Sequence, residues 1–306
     1  MQALLHNRHF WLFVVAYAVA VGVLVAGGRP LEDVLGALMI LGVLLPLIAL
    51  GTCVRLPTPT EPAPWQRGDG WTLLALLAWI VLFLAAKGHA LTALLPAEPD
   101  PRVRDTVNAL LKLLAFVGVP VAVLWRRAVP WDQPGRPTAS TARLWLCFIV
   151  MAAAALAVQS LMGSQFHRLV DGGYADRHLA LGALLCLAWM TVEAGVVEEF
   201  FFRWYLQSRL AAWTKSQVSA VFLGALLFGL AHAPGILLRG AGAVEGLGDS
   251  PSIGTTLAYV VATQGVAGLT FGVLWARTRS FVLIVVLHGV FDALSNTASF
   301  MDTWHL

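Results

Sequence analysis

Charged side chains are scarce in this sequence. Asp, Glu, Lys and Arg together make up 12% of its 306 residues, whereas soluble globular domains carry roughly 25%. Hydrophobic residues make up 58%. This composition excludes an ordinary soluble domain and indicates an integral membrane protein.

Cysteine is also rare. The three cysteines, Cys53, Cys147 and Cys186, lie far apart, and the sequence contains no CxxC pair and no close Cys/His pairing. Such spacing supports neither a disulfide framework nor a thiolate metal site. We expect all three to be ordinary core residues.

No segment combines clustered basic residues with aromatic residues, as nucleic-acid-binding surfaces do. The formal net charge of +3 comes from bases that are scattered between apolar segments. The sequence therefore predicts no nucleic-acid partner, and its bases are better used as indicators of membrane topology.

Nine apolar segments follow one another along the chain, each close to the ~20 residues that a membrane-spanning helix needs. They cover approximately residues 10–28, 33–51, 71–90, 106–125, 142–163, 179–206, 216–233, 255–276 and 280–297. We predict an all-α, polytopic bundle of eight or nine transmembrane helices with the lipid bilayer as its surroundings. The first segment is expected to be an uncleaved anchor and not a signal peptide.

Polar residues inside these segments are concentrated in the second half of the chain. We therefore predict an accessory region of about five helices at 1–163 and a catalytic core of about four helices at 164–306. The connectors at 56–70, 96–102 and 129–137 are rich in Pro or Gly and are too short to form soluble domains.

Lys and Arg are more frequent in the N-terminal segment and the even-numbered loops than in the odd-numbered loops. Cytoplasmic loops carry an excess of these residues, so we expect a cytoplasmic N-terminus in a bacterial-type plasma membrane. Lys112 lies inside the fourth segment and is expected to snorkel towards an interface.

The first polar cluster lies at 198–203, where Glu198, Glu199 and Arg203 interrupt an apolar run. Ionisable groups inside a membrane are costly and mark functional sites. Residues four apart share a helix face, so Glu199 and Arg203 are expected to form an ion pair while Glu198 points about 100° away. The alternatives are a purely structural ion-pair network and the start of an amphipathic cytoplasmic helix. Glu193 is a weaker candidate of the same kind.

A second cluster ends the seventh segment, where His232 precedes Pro234. Proline is expected to stop the helix there. If the sixth and seventh helices form a hairpin that turns near Lys215, Glu198 and His232 both lie about 25 Å from the turn and are at the same depth. The Gly-rich stretch 234–254 is expected to be a connector, with a mobile lid as the alternative.

The third cluster is His288, Asp292 and Asn296, which are spaced four residues apart and therefore lie on one helix face. A polar stripe of this kind must face protein or water and not lipid. His288 is only about 13 Å from a turn near Arg279, which does not match the depth of Glu198. Helix tilt or a longer sixth helix would close the gap.

These side chains suit the activation of a water molecule in a dry setting. A glutamate beside a histidine can hold a water and accept its proton, while a second histidine with Asp or Asn stabilises the developing oxyanion. The same side-chain types would also suit zinc, with Glu198, His232 and His288 as ligands. The sequence contains no HExxH motif that would decide between the two.

Three short motifs, in this order, resemble those of the CAAX prenyl protease and bacteriocin-processing family of intramembrane proteases, also called the Abi family. EEFFFR at 198–203 is similar to EExxxR, FGLAH at 228–232 to FxxxH, and HGVFD at 288–292 to HxxxN/D. The resemblance covers about residues 179–297. It implies a multi-helix intramembrane endopeptidase with a catalytic cavity, acting on a membrane-proximal or lipid-modified peptide or protein.

Carried over by position, the resemblance implies that Glu198 and His232 activate water and that His288 and Asp292 stabilise the oxyanion. Asp292 stands where eukaryotic prenyl proteases have Asn, and an ionised Asp cannot donate a hydrogen bond. Asp292 is therefore expected to be protonated, to orient His288, or to be replaced in this role by Asn296.

Glu199 and Arg203 would be structural partners within the first motif. The resemblance favours a glutamate mechanism without a cofactor over a zinc protease. Two other functions fit the same fold: a catalytically silent binding or immunity protein, and a transporter that uses the buried charges as an ion path. The clustering of the charges in three short motifs is less typical of a transporter, whose charges would traverse the membrane.

Overall fold

The computed structural model describes residues 2–129, 134–162, 164–172, 174–239, 247 and 251–306. Within these residues every regular element is a helix, and nine helices are long and apolar enough to cross a membrane. In chain order they are α1 (Arg8–Ala26), α2 (Leu31–Cys53), α3 (Asp69–Leu94), α4 (Pro101–Arg126), α5 (Thr141–Leu161), α6 (Asp176–Thr214), α7 (Gln217–Leu238), α8 (Ile253–Thr278) and α9 (Phe281–Trp304). The prediction of an all-α, multi-pass membrane protein is confirmed.

The helix α6 is the longest of the nine, with 39 residues. At 1.5 Å per residue it spans about 58 Å, roughly twice the ~30 Å thickness of a bilayer's hydrocarbon core. It therefore continues outside the hydrocarbon or tilts strongly. A sixth helix longer than a single membrane span was one of the expected ways to bring Glu198 level with His288.

The chain divides into two compact units. The first contains Met1–Gly88, Val129–Thr138 and Phe202–Arg279, and the second contains His89–Ala128, Ala139–Phe201 and Ser280–Leu306. The boundary falls inside α6, directly after Phe201, so the first sequence motif contributes residues to both units.

Tight turns at Lys215, between α6 and α7, and at Arg279, between α8 and α9, lie where the sequence predicted them. Lys215 and Arg279 have left-handed backbone conformations, with φ of 53° and 48°. The next residue in each case is a serine whose hydroxyl caps the following helix: Ser216 accepts from the amide of Ser219, and Ser280 accepts from the amide of Leu283. Serine is a favoured residue at this position because its oxygen satisfies an amide that lacks a helical partner.

In the first unit, α1, α2, α7 and α8 bury a common apolar core. Its buried members include Phe13, Ala20, Val221 and Val266. Where α7 approaches α8, a side chain at Gly229 would lie 2.8 Å from the backbone of Gly265 and Val260. Only glycine permits this approach, which fixes the end of α7 that carries the second motif.

The sequence predicted that the apolar helix would stop before Pro234, and it does end there, at Ala231; a second helix that follows was not predicted. The helix Gln217–Ala231 is followed by a turn at His232 and by a second helix, Ala233–Arg239. Pro234 is the second residue of that helix, where the backbone amide has no helical partner to lose. The first residues of the expected connector 234–254 are therefore helical, while 240–246 and 248–250 lie outside the described residues.

The three cysteines are buried and form no disulfide. Their expected role as core residues is confirmed.

Candidate functional site

The first motif lies where α6 departs from regular α-helical geometry. Two π-helical segments, Thr191–Val196 and Phe200–Gln207, flank a short α-helical stretch, Val197–Glu199. In a π-turn the hydrogen bonds join residues five apart, and such turns are frequent at functional sites. The four-residue spacing used to align Glu199 with Arg203 therefore does not apply across this segment, and their ion pair stays a prediction.

In the second unit, α6 and α9 pack against each other through glycine. A side-chain carbon at Gly289 would lie 3.0 Å from the backbone of Thr191, and one at Gly195 would collide with the carbonyl oxygen of Val285. Cβ atoms are not tolerated at such separations, so each glycine allows the opposite helix to come closer. Gly289 follows His288 directly, and the close packing therefore sets the position of the third motif.

His288 forms a hydrogen bond to the first motif across this contact. Its Nδ1 atom lies 2.7 Å from Oε1 of Glu199. Both residues are buried, with exposed fractions of 6% and 0%. The bond holds the imidazole in one orientation, because rotation of the ring would break a buried, charge-assisted hydrogen bond.

The other imidazole nitrogen of His288 faces two further carboxylates. Its Nε2 atom lies 3.5 Å from Oδ2 of Asp292 and 3.8 Å from Oε2 of Glu198. We call these four residues the His288 cluster: Glu198, Glu199, His288 and Asp292. The cluster brings together one residue pair from the first motif and one from the third.

Glu199 thus has a contact that the sequence analysis did not include. The spacing within the first motif indicated a partner in Arg203, four residues later. A hydrogen bond between residues 89 positions apart leaves no trace in local spacing. Only the order of the motifs indicated that the two segments meet.

Asn296 lies one turn beyond Asp292 on α9. Its amide donates hydrogen bonds to the backbone oxygen of Asp292 at 2.8 Å and to the hydroxyl of Ser295 at 3.4 Å. These bonds direct the Asn296 amide along its own helix. Asp292, by contrast, presents a carboxylate oxygen to the ring of His288, and its orienting role stays a prediction.

A half-buried ion pair that the sequence did not predict lies in the same unit. Nζ of Lys112, on α4, is 2.8 Å from Oε1 of Glu193, on α6, and both side chains are 16% exposed. Phe116 and Phe201 pack edge to face between the same two helices. The ammonium group of Lys112 thus binds a carboxylate within the unit, and the expected snorkelling towards an interface stays a prediction.

The second motif belongs to the first unit. His232 lies in the turn between the two helical parts of α7, with Nδ1 2.8 Å from the carbonyl oxygen of Phe228. A carbonyl oxygen only accepts, so Nδ1 carries the proton. In the neutral ring, Nε2 is consequently the atom that can accept a proton or bind an electrophile.

Phe228 also contacts Arg203, the last residue of the first motif. The guanidinium carbon of Arg203 lies 4.2 Å above the Phe228 ring, and Nη2 donates to the carbonyl of Gly268 at 3.3 Å. Arg203 is only 2% exposed. Because Phe228 is in contact with both Arg203 and His232, the packing of Arg203 also supports the residue that orients His232.

In the described part of the chain, no group of three or more His, Cys, Asp or Glu side chains is arranged to hold a metal ion.

Comparison with known families identifies the segment that contains all three motifs. Residues 180–294 match the family model for Rce1-like type II CAAX prenyl endopeptidases. No curated protein and no solved structure matches the chain. The matched segment begins in α6 and ends in α9, so it contains the His288 cluster, Arg203 and His232. Residues 180–294 are thus similar to the Rce1-like type II CAAX prenyl endopeptidases, in agreement with the motif resemblance, and they lie within a multi-pass membrane protein.

Proposed function

We propose that the protein hydrolyses a peptide bond in a membrane-proximal or lipid-modified peptide, with Glu198 as the general base. The observation that carries the proposal is the His288 cluster, in which a buried imidazole is bonded to one carboxylate and faces two more. Such a concentration of titratable groups in an apolar helix bundle is expensive and is typical of a site for proton transfer.

Water activation is assigned to Glu198 and His232. The neutral His232 ring presents Nε2 as an acceptor, because Nδ1 donates to Phe228. The water is proposed to attack the scissile carbonyl carbon, with Glu198 as its proton acceptor. As the oxygen attacks, the proton passes to Glu198, and the carbonyl oxygen becomes the oxyanion of a tetrahedral intermediate.

Stabilisation of that oxyanion is assigned to His288. Two carboxylates face Nε2, and a bare nitrogen lone pair would be repelled by their oxygens, so a proton belongs at Nε2. The resulting N–H can donate a hydrogen bond to the developing oxyanion. Donors placed where charge develops in the transition state contribute strongly to catalysis. Asp292 then orients and supports His288 and does not need to donate a hydrogen bond itself.

The intermediate collapses when the carbon–nitrogen bond breaks. The proton held by Glu198 moves to the leaving nitrogen, which departs as an amine, and the carbonyl carbon becomes a carboxylic acid. Glu198 is ionised again at the end of the cycle. One water is consumed for each bond cleaved, and no co-reactant is required.

Two further proposals concern topology and organisation. The distribution of Lys and Arg supports a cytoplasmic N-terminus in a bacterial-type plasma membrane. The accessory region at 1–163 and the catalytic core at 164–306 are proposed on the basis of where the polar residues lie.

Purified full-length protein, assayed with farnesylated and unmodified peptides of the same sequence, tests the function. Glu198→Gln, His232→Ala and His288→Ala are each expected to abolish cleavage, while Glu98→Gln and His305→Ala, at exposed positions outside the site, retain it. Full activity in any of the three site variants contradicts the assignment. A protein that binds the peptides without cleaving them would instead be the silent binding protein, and ion flux in proteoliposomes would support a transporter.

A further inference from the structure

A large apolar groove in the first unit has no role in the proposed reaction. It encloses about 650 Å³ and is lined by residues of α1, α2, α7 and α8. Its apolar lining includes Phe13, Val14, Val43, Val221, Phe222 and Val273. Pockets of this size accommodate ligands of a few hundred daltons.

The four helices around the groove are tied together at one end. Arg277, at the end of α8, donates to the backbone oxygen of Cys53, at the end of α2, at 3.0 Å. Asn7, just before α1, donates to Ser219, near the start of α7, at 2.8 Å. The ends of these helices therefore form one rim of the groove, and Arg277 lines the groove at that rim.

The charges at this rim are mostly positive. Four basic side chains that are exposed or half-buried belong to the segments that meet there: Arg8, Arg55, Lys215 and Arg277. One exposed carboxylate, Glu61, is nearby, and it accepts a hydrogen bond from Gln217 at 2.8 Å. The rim is therefore complementary to an anionic group, whereas the groove below it is complementary to a hydrocarbon chain.

We propose that this groove binds an anionic phospholipid, with an acyl chain in the groove and the phosphate at Arg277. A guanidinium has five N–H donors, and the bond to Cys53 uses one of them. The remaining donors suit the forked geometry in which arginine binds phosphate oxygens. A purely apolar ligand would leave the basic rim without a function.

The predicted topology agrees with this occupant. The rim includes the segment before α1, which the distribution of bases assigns to the cytoplasm. The cytoplasmic leaflet is the leaflet whose anionic lipids attract basic segments next to the membrane. The first two helices, outside the family segment, would then contribute a lipid site to the enzyme.

Native mass spectrometry of the detergent-purified full-length protein tests the proposal, with phosphatidylglycerol and phosphatidylcholine as the added lipids. Wild-type protein is expected to retain phosphatidylglycerol in preference to phosphatidylcholine by about tenfold, which corresponds to one charge-assisted contact. Arg277→Gln is expected to remove the preference. Its control, Arg126→Gln at the end of α4, is expected to keep it.

A second pair of variants tests the groove itself. Val14→Trp places a large side chain in the groove and is expected to abolish retention of both lipids. The control is Val15→Trp, because Val15 is 58% exposed and does not line the groove, and this variant is expected to leave lipid retention unchanged. Unaltered lipid retention in Val14→Trp, or an unaltered preference in Arg277→Gln, overturns the proposal. Retention of a farnesylated peptide in place of phosphatidylglycerol would also overturn it, since the groove would then hold substrate.

Lipid retention is read from mass and does not depend on cleavage. The catalytically inactive Glu198→Gln protein is therefore expected to bind phosphatidylglycerol as the wild type does. A wrong catalytic mechanism would appear in the cleavage assay, and a wrong lipid site would appear in the mass spectra, so the two outcomes can be distinguished.

Discussion

His288 and Glu199 are joined by a hydrogen bond of 2.7 Å, although 89 residues separate them in the chain. The bond links α9 to α6, and the opposite nitrogen of the same ring faces Glu198 and Asp292. The glutamate that follows the proposed base is thus the residue that fixes the proposed oxyanion donor. The two adjacent glutamates serve the same imidazole from opposite sides.

Two replacements of Glu199 distinguish its orientation of the His288 ring from the effect of its negative charge. Glu199→Gln retains an oxygen that can accept the Nδ1 proton of His288 but loses the negative charge, and we expect kcat to fall by about 10- to 100-fold. Glu199→Ala loses both, and a larger fall is expected. The comparison is made by steady-state cleavage with thermal melting as the check on folding, and a normal kcat in Glu199→Ala would contradict the orienting role.

Gly289 is expected to tolerate no side chain. The methyl group of Gly289→Ala would push α9 away from the backbone of Thr191, at a cost of about 1–3 kcal/mol in stability, and would lengthen the bond from His288 to Glu199. Gly22→Ala is the control, since a Cβ there meets no atom within 4 Å. Thermal unfolding and kcat are measured for both proteins. Equal behaviour of the two variants would show that the glycine contact does not position the third motif.

The ion pair of Lys112 and Glu193 is expected to stabilise the second unit. Lys112→Met leaves the largely buried Glu193 without its cation, at a cost on the order of 3 kcal/mol. Removal of both charges in Lys112→Met with Glu193→Met is expected to cost less than Lys112→Met alone. Denaturation in micelles measures both, and the outcome that contradicts the interpretation is a single variant as stable as the wild type.

The matched control for this cycle is an exposed ion pair in the same unit. Arg168 and Asp302 lie 2.6 Å apart, but their side chains are about half exposed, at 51% and 50%. Arg168→Met is therefore expected to change the stability by at most about 1 kcal/mol.

Removal of metal ions is expected to leave cleavage unchanged. The proposed proton acceptor is Glu198, whose carboxylate needs no metal to accept a proton from water. The measurement is cleavage after dialysis against a strong chelator, together with the zinc content of the same sample. Lost activity that returns on addition of zinc would replace the glutamate mechanism by a metal mechanism.

The nine helices could be predicted from the sequence because long apolar runs have few alternatives in a membrane. The order of the motifs also indicated that α6 and α9 meet, as the bond from His288 to Glu199 shows. The bond from Glu199 to His288 could not be predicted, since no local spacing relates residues 89 positions apart. The π-helical turns of α6 also change the angular relation on which the expected pairing of Glu199 with Arg203 relied.

Ion pairs between residues far apart in the chain could not be predicted from the sequence either. Lys112 and Glu193 lie 81 residues apart, and neither occurs in a recognisable motif. The short helix Ala233–Arg239 was also missed, because proline stops a helix but is tolerated within the first turn of a new one. The ion pair depends on how α4 packs against α6, and the short helix depends on where a new helix begins. Local spacing in the sequence describes neither feature.

The π-helical turns of α6 have a consequence for how this site can vary. A π-turn contains one residue more than an α-turn would hold, and one residue corresponds to about 100° of rotation along a helix. Glu198 and Glu199 lie between two such segments. A one-residue deletion in either segment can therefore be absorbed by conversion of a π-turn to an α-turn, so that Glu198 and Glu199 keep their direction while the rest of α6 keeps its packing.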